Sequence, residues 1–65
     1  MNAKDMGLFI NELRKENKMT QMELAGKIHV TDKAVSRWER GIGFPDVQLL
    51  SSLAEALHIS VAELI

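Results

Sequence analysis

The chain has 65 residues, with 8 Lys and Arg, 9 Asp and Glu, one Trp, no Cys and a formal charge of −1. That length makes one domain, which buries only about 60% of its unfolded surface; without Cys, neither a disulfide nor a Cys-based zinc site can help hold it. A hydrophobic content of 46% excludes a disordered tail, and no apolar run forms a signal-peptide core or reaches the roughly 20 residues of a membrane span. The expectation is a small domain of the cytoplasm.

The total charge argues at first against a nucleic-acid partner, but it averages over an asymmetry. All eight cations lie at or before Arg40, against six anions. Asp46, Glu55 and Glu63 follow with no cation at all.

In chain order, Met6, Phe9, Ile10 and Leu13 fall at i, i+3, i+4 and i+7, one apolar helical stripe. Asn2 or Asp5 can cap this first helix, which fades near Asn17-Lys18. Thr20 with Glu23 forms a capping box that opens a second helix, burying Leu24, Ala25 and Ile28 and stopping at His29-Val30. Thr31 caps a third helix, from about Asp32 to Arg40, and Gly41 closes it in the position that needs a left-handed backbone. Ile42-Gly43-Phe44-Pro45 reads as a loop. Asp46 is expected to cap a fourth helix reaching Leu57, with Leu49, Leu50, Leu53, Ala54 and Leu57 inward. Ser60 with Glu63 repeats the capping box and opens a fifth. There is no strand signal, so the expected fold class is all-α, with four to five short helices. A chain that stops one turn into a fresh helix is expected to be the N-terminal part of a longer protein. Leu24–Thr31 echoes Leu53–Ser60 at an offset of 29 residues, read as shared turn grammar and not as a repeat unit.

The third helix has two opposed faces. Lys33, Ser36, Arg37 and Arg40 form one cationic stripe, with Val35 and Trp38 opposite. Trp38, the only Trp, is the expected anchor to the core. A cationic stripe alone is an ordinary solvated face. This one follows a capped helix and a short turn, the arrangement that sets a helix across its predecessor as in a helix-turn-helix. Its residue types suit the DNA major groove: Arg and Lys donate to guanine O6 and N7 or to phosphates, Ser donates or accepts, and Thr offers a methyl and a hydroxyl. Gln21, at the start of the preceding helix, has a side-chain amide that can hold a phosphate.

Nothing is arranged for catalysis. His29 and His58 fall at turn positions, no Cys or paired carboxylate accompanies them, and no glycine-rich loop follows a strand. No enzyme activity, cofactor or metal is expected.

From Phe9 to Leu64 the chain resembles the Cro/repressor-type (XRE) helix-turn-helix family of bacterial and phage transcription regulators. The resemblance is carried by Ile10-x-x-Leu13-Arg14, Met19-Thr20-Gln21-x-Glu23-Leu24-Ala25, Val30-Thr31-x-x-x-Val35-Ser36-x-Trp38-Glu39-Arg40-Gly41, Pro45, and Leu53-Ala54-x-Ala56-Leu57-x-Ile59-Ser60-x-x-Glu63-Leu64. It implies a bundle of the lambda-repressor-like type over residues 1–65, with the core at 6–65 and the helix-turn-helix at 21–40. It implies a phosphate clamp at Gln21, contacts to bases and backbone from Thr31, Asp32, Lys33, Ser36 and Arg37, and a backbone contact from Arg40. Arg14 and Glu39 match a structural pair tying the first helix to the end of the third.

The chain departs from the family at His29 and His58, where Gly is frequent, and at Asp32. Asp32 either accepts from a cytosine N4 or, the favoured reading, stabilises the helix N-terminus. Gly26, inside the second helix, costs roughly 1 kcal/mol relative to Ala and is read as a point of close approach by another helix. The function implied is sequence-specific binding of double-stranded DNA by a regulator, such as a repressor, acting as a homodimer on operator half-sites. The alternative is a protein-protein module, antitoxin-like or adaptor, on the same scaffold.

Overall fold

The first helix begins where Asn2 can cap it. Its Oδ1 accepts from the Asp5 amide at 2.7 Å, and the chain runs as α1 from Ala3 to Glu16. The computed structural model describes residues 1–65, all of them in helices, turns or loops. Thr20 and Glu23 close the capping box of α2 (Gln21–Lys27), each side chain bonded to the other's amide. The Thr31 hydroxyl accepts from Ala34 N at 3.1 Å and starts α3 (Asp32–Glu39). A loop and a single 3-10 turn, Val47–Leu49, lead into α4 (Leu50–Ala56), and a second capping box, Ser60 with Glu63, opens α5 (Val61–Leu64). The fold is all-α, and no helix is long and apolar enough to cross a membrane.

Four helices end in the same way. The amides of Met19, Val30, Ile42 and Ile59 donate to the carbonyls of Arg14, Ala25, Arg37 and Ala54 at 3.0–3.1 Å. Between each pair lies a residue in the left-handed region: Lys18 (φ 56°), His29 (58°), Gly41 (72°) and His58 (61°). These are Schellman endings, which return orphan carbonyls to hydrogen bonding at the helix end. The echo between Leu24–Thr31 and Leu53–Ser60 is two instances of this one ending. Only Gly41 takes the conformation free of side-chain strain.

The core is one cluster: Met6 and Ile10 from α1, Leu24, Ala25 and Ile28 from α2 and its end, Val35 and Trp38 from α3, Leu53, Ala54 and Leu57 from α4 and its end, and Leu64 from α5. Phe9, Leu13, Leu49 and Leu50 pack half-buried against it. Two expectations are corrected. Asp46 makes no side-chain cap bond, because the chain enters the fourth helix through the 3-10 turn. Gly26 is exposed, with nothing within 4 Å of where its Cβ would stand. The close approach falls at Gly7 instead. A Cβ there would overlap the Trp38 carbonyl oxygen and stand 3.1 Å from the Glu39 carbonyl carbon. Gly7 is therefore the point where α1 lies backbone-to-backbone on the end of α3.

Candidate nucleic-acid interface

α3 is held by one face and free on the other. Val35 is fully buried and Trp38 is 6% exposed. Thr31, Asp32, Lys33, Arg37 and Arg40 are exposed, and Ser36 is half-buried. The Arg40 Nε donates weakly to the Ser36 carbonyl at 3.4 Å, which lays its side chain back along the helix. Lys33 and Arg37 take no part in any ion pair. They are uncommitted cations on a helix whose backbone is fixed by its opposite side. A helix of this width fits the major groove, and both side chains can donate to base edges or phosphates.

What fixes α3 at its far end is polar. The Glu39 carboxylate collects donors from two other helices. Its Oε2 accepts from Arg14 Nε at 2.6 Å. Its Oε1 accepts from Arg14 Nη2 at 3.0 Å, Asn11 Nδ2 at 2.7 Å and Gln21 Nε2 at 3.0 Å. Arg14 Nη1 also donates to the Met19 carbonyl at 2.8 Å, just before α2. The side chains of Arg14 and Glu39 are 11% and 5% exposed. Burial pushes the Glu39 carboxyl up, but the bonds from Arg14, Asn11 and Gln21 and the Arg14 charge together outweigh it and hold the group below the usual carboxylate range. The bond to Glu39 raises Arg14 further above its already high value. Arg14 and Glu39, expected as a pair, are thus brought together. Gln21, expected at a phosphate, is the first residue of α2 and has its amide nitrogen on Glu39.

Asn11 has no part in the sequence reading, although it lies one helical turn before Arg14 and on the same side of α1. Ile42 and Phe44, read from the sequence only as loop residues, are exposed and line, with Ala34, Arg37, Trp38 and Gly43, a cleft of about 260 Å³ beside α3. A larger cleft, about 520 Å³, contains His29, His58, Lys27, Ser52 and Glu55 and no residue of α3. No group of three or more His, Cys, Asp or Glu residues is placed to hold a metal.

Set against known proteins, residues 10–64 match the model of a helix-turn-helix family. The transcriptional activator BcrR of Enterococcus faecalis is 30% identical over 56 residues, covering 86% of this chain and 28% of its own length. Multiprotein-bridging factor 1 of Candida albicans is 36% identical over 56 residues, covering 86% and 37%. This chain therefore spans about a third of the length of these curated relatives. Among solved structures, the P22 c2 repressor in complex with a synthetic operator superposes with a TM-score of 0.88 at 35% identity, covering 92% of this chain and 91% of that one.

Proposed function

The chain belongs to the Cro/repressor-type helix-turn-helix family, and on that footing we propose that it is the sequence-specific double-stranded-DNA-binding module of a transcriptional regulator, with α3 in the major groove. The observation that carries the proposal is α3 itself: a helix anchored through Val35 and Trp38 that turns Lys33 and Arg37 outward with no anion to neutralise them. The solved complex of the P22 c2 repressor with an operator supports the same geometry by likeness. The adaptor or antitoxin-like alternative, which the name of the multiprotein-bridging factor would suit, is not favoured, because the exposed, unpaired cations of α3 suit a polyanion.

In this reading Arg37 and Lys33 supply the donors to base edges and phosphates. Ser36 reads from the same face, and Thr31 and Asp32 stand at the end of α3 that enters first. Asp32, exposed in the first turn, chiefly stabilises the helix dipole. Arg40 and Gln21 reach the sugar-phosphate backbone. One module of this size contacts roughly 600–1,000 Å², so useful specificity calls for a homodimer on half-sites about one helical turn apart. Such a protein works in the bacterial cytoplasm.

The test begins with selection from a pool of random duplexes. The winning duplex and a scrambled one are then titrated with the chain over a range of salt. Binding to the winner should weaken with a log-log slope near −0.9 per phosphate neutralised. A dimer that shows neither enrichment nor salt dependence would refute the proposal.

A further inference from the structure

The Gln21 carboxamide is not free to choose its own orientation. Its nitrogen donates to Glu39 Oε1 at 3.0 Å. That oxygen is itself fixed by Asn11 Nδ2 at 2.7 Å and Arg14 Nη2 at 3.0 Å, and the other carboxylate oxygen by Arg14 Nε at 2.6 Å. Two residues of α1 thus hold a carboxylate of α3, and the carboxylate holds the first side chain of α2. A carboxamide nitrogen carries two hydrogens and its oxygen two lone pairs. With one hydrogen taken by Glu39, the second has a defined direction.

We propose that Glu39, held by Arg14 and Asn11, is a positioning residue for the DNA-backbone contact of Gln21: it orders the carboxamide before binding, so that its remaining N–H meets a phosphate oxygen without a further loss of rotamer freedom. This rests on the DNA-binding reading above. It deepens that reading by giving Glu39 a role that a scaffold ion pair does not require. A Glu39 that served only to join α1 to α3 would need Arg14 alone. The bond to Gln21 extends the network to the second helix of the helix-turn-helix. An ordered side chain forms its bond at lower entropic cost, which is how preorganisation raises affinity.

The proposal has a readout in the unaltered protein. In a 15N-1H spectrum of the free chain, the two Gln21 side-chain protons should be well separated and slow to exchange. Addition of the selected duplex should move one strongly and leave the Glu39-bonded one nearly in place. A Gln21 pair at the position of a freely rotating carboxamide, or a pair that ignores the duplex, overturns the proposal.

A mutant cycle gives a second readout, with affinities compared at a temperature where every variant is folded. Gln21→Ala should weaken binding about 3- to 10-fold, equally on selected and scrambled duplexes. Glu39→Met, which keeps the side chain's length and removes both acceptor oxygens, should weaken it similarly, and the double variant should lose no more than Gln21→Ala alone. Losses that multiply would make Glu39 purely structural. Wild-type binding unaffected by Gln21→Ala would remove the contact while leaving the DNA-binding reading standing, whereas wild-type protein that binds no duplex would remove both.

Discussion

One substitution at two glycines should give opposite signs. Gly7 lies buried in α1 on the last turn of α3, and an added methyl would overlap the Trp38 carbonyl oxygen. That atom is backbone and cannot rotate away. It also accepts the Gly41 amide at 3.0 Å in the ending of α3. To restore an ordinary contact, α1 must withdraw from α3 by on the order of 1 Å. The withdrawal stretches the 2.6 Å and 3.0 Å bonds from Arg14 to Glu39 and opens the packing around Trp38. Overpacking plus weakened charged bonds cost about 2–4 kcal/mol. Gly26 is also helical, next to last in α2, but has open space around its Cβ position. Gly26→Ala should therefore gain about 0.5–1 kcal/mol from helix propensity. A domain of this size holds about 3–10 kcal/mol in all, and each kcal/mol moves Tm by about 4–8 °C. Urea and thermal unfolding followed by far-UV circular dichroism should show Gly7→Ala severely destabilised, or unfolded, and Gly26→Ala improved. A Gly7→Ala protein within about 0.5 kcal/mol of wild type would refute the helix contact inferred at Gly7. A destabilised Gly26→Ala would restore the close approach at that position.

Three further outcomes follow from particular contacts. The Glu39 carboxyl is held below its ordinary value of about 4.3, so its contribution is complete above about pH 5 and is lost as the pH falls through the ordinary value and then through its own. The acid limb of a pH-stability curve should flatten in Arg14→Ala, which leaves only the Asn11 and Gln21 bonds against burial of the carboxyl and costs about 2–4 kcal/mol at pH 7; an unchanged limb would show that Arg14 does not govern the ionisation of Glu39. His29→Gly and His58→Gly should each raise stability by about 1 kcal/mol in denaturant titrations, because both residues sit at positive φ; a loss at either would mean the imidazole makes a stabilising contact. Arg37→Ala should cost about 1–3 kcal/mol on the selected duplex and relax one base position in a repeated selection; an equal loss on all sequences would make Arg37 a phosphate contact.

The sequence exposed what depends on neighbours along the chain. Thr20 with Glu23, and Ser60 with Glu63, are three residues apart, and each closes its capping box without help from the rest of the fold. The two faces of α3 follow from helical periodicity in the same way. Asp46 has the right residue type for a cap, but Leu49 and Leu50 must reach the core, and the chain enters the fourth helix through a 3-10 turn instead. Gly7 and Gly26 are equivalent by local rules, and only the crossing of α1 over α3 separates them. The left-handed ending at Lys18 was hidden because a lysine carries no mark of positive φ, whereas Gly41 does. At the site, Arg14 and Glu39 were marked by resemblance, but Asn11 and the bond from Gln21 join residues 28 and 18 positions from Glu39. Such links belong to packing and leave no local pattern.

A chain at −1 has little general attraction for a polyanion, so affinity must come from a few placed side chains. We place these on the outer face of α3. The most direct measurement is a residue-by-residue map of NMR shift changes as the selected duplex is added. The largest changes are expected at Lys33, Ser36 and Arg37, with Thr31 and Gln21 beside them. A duplex that binds while Lys33, Ser36 and Arg37 stay unmoved would contradict it.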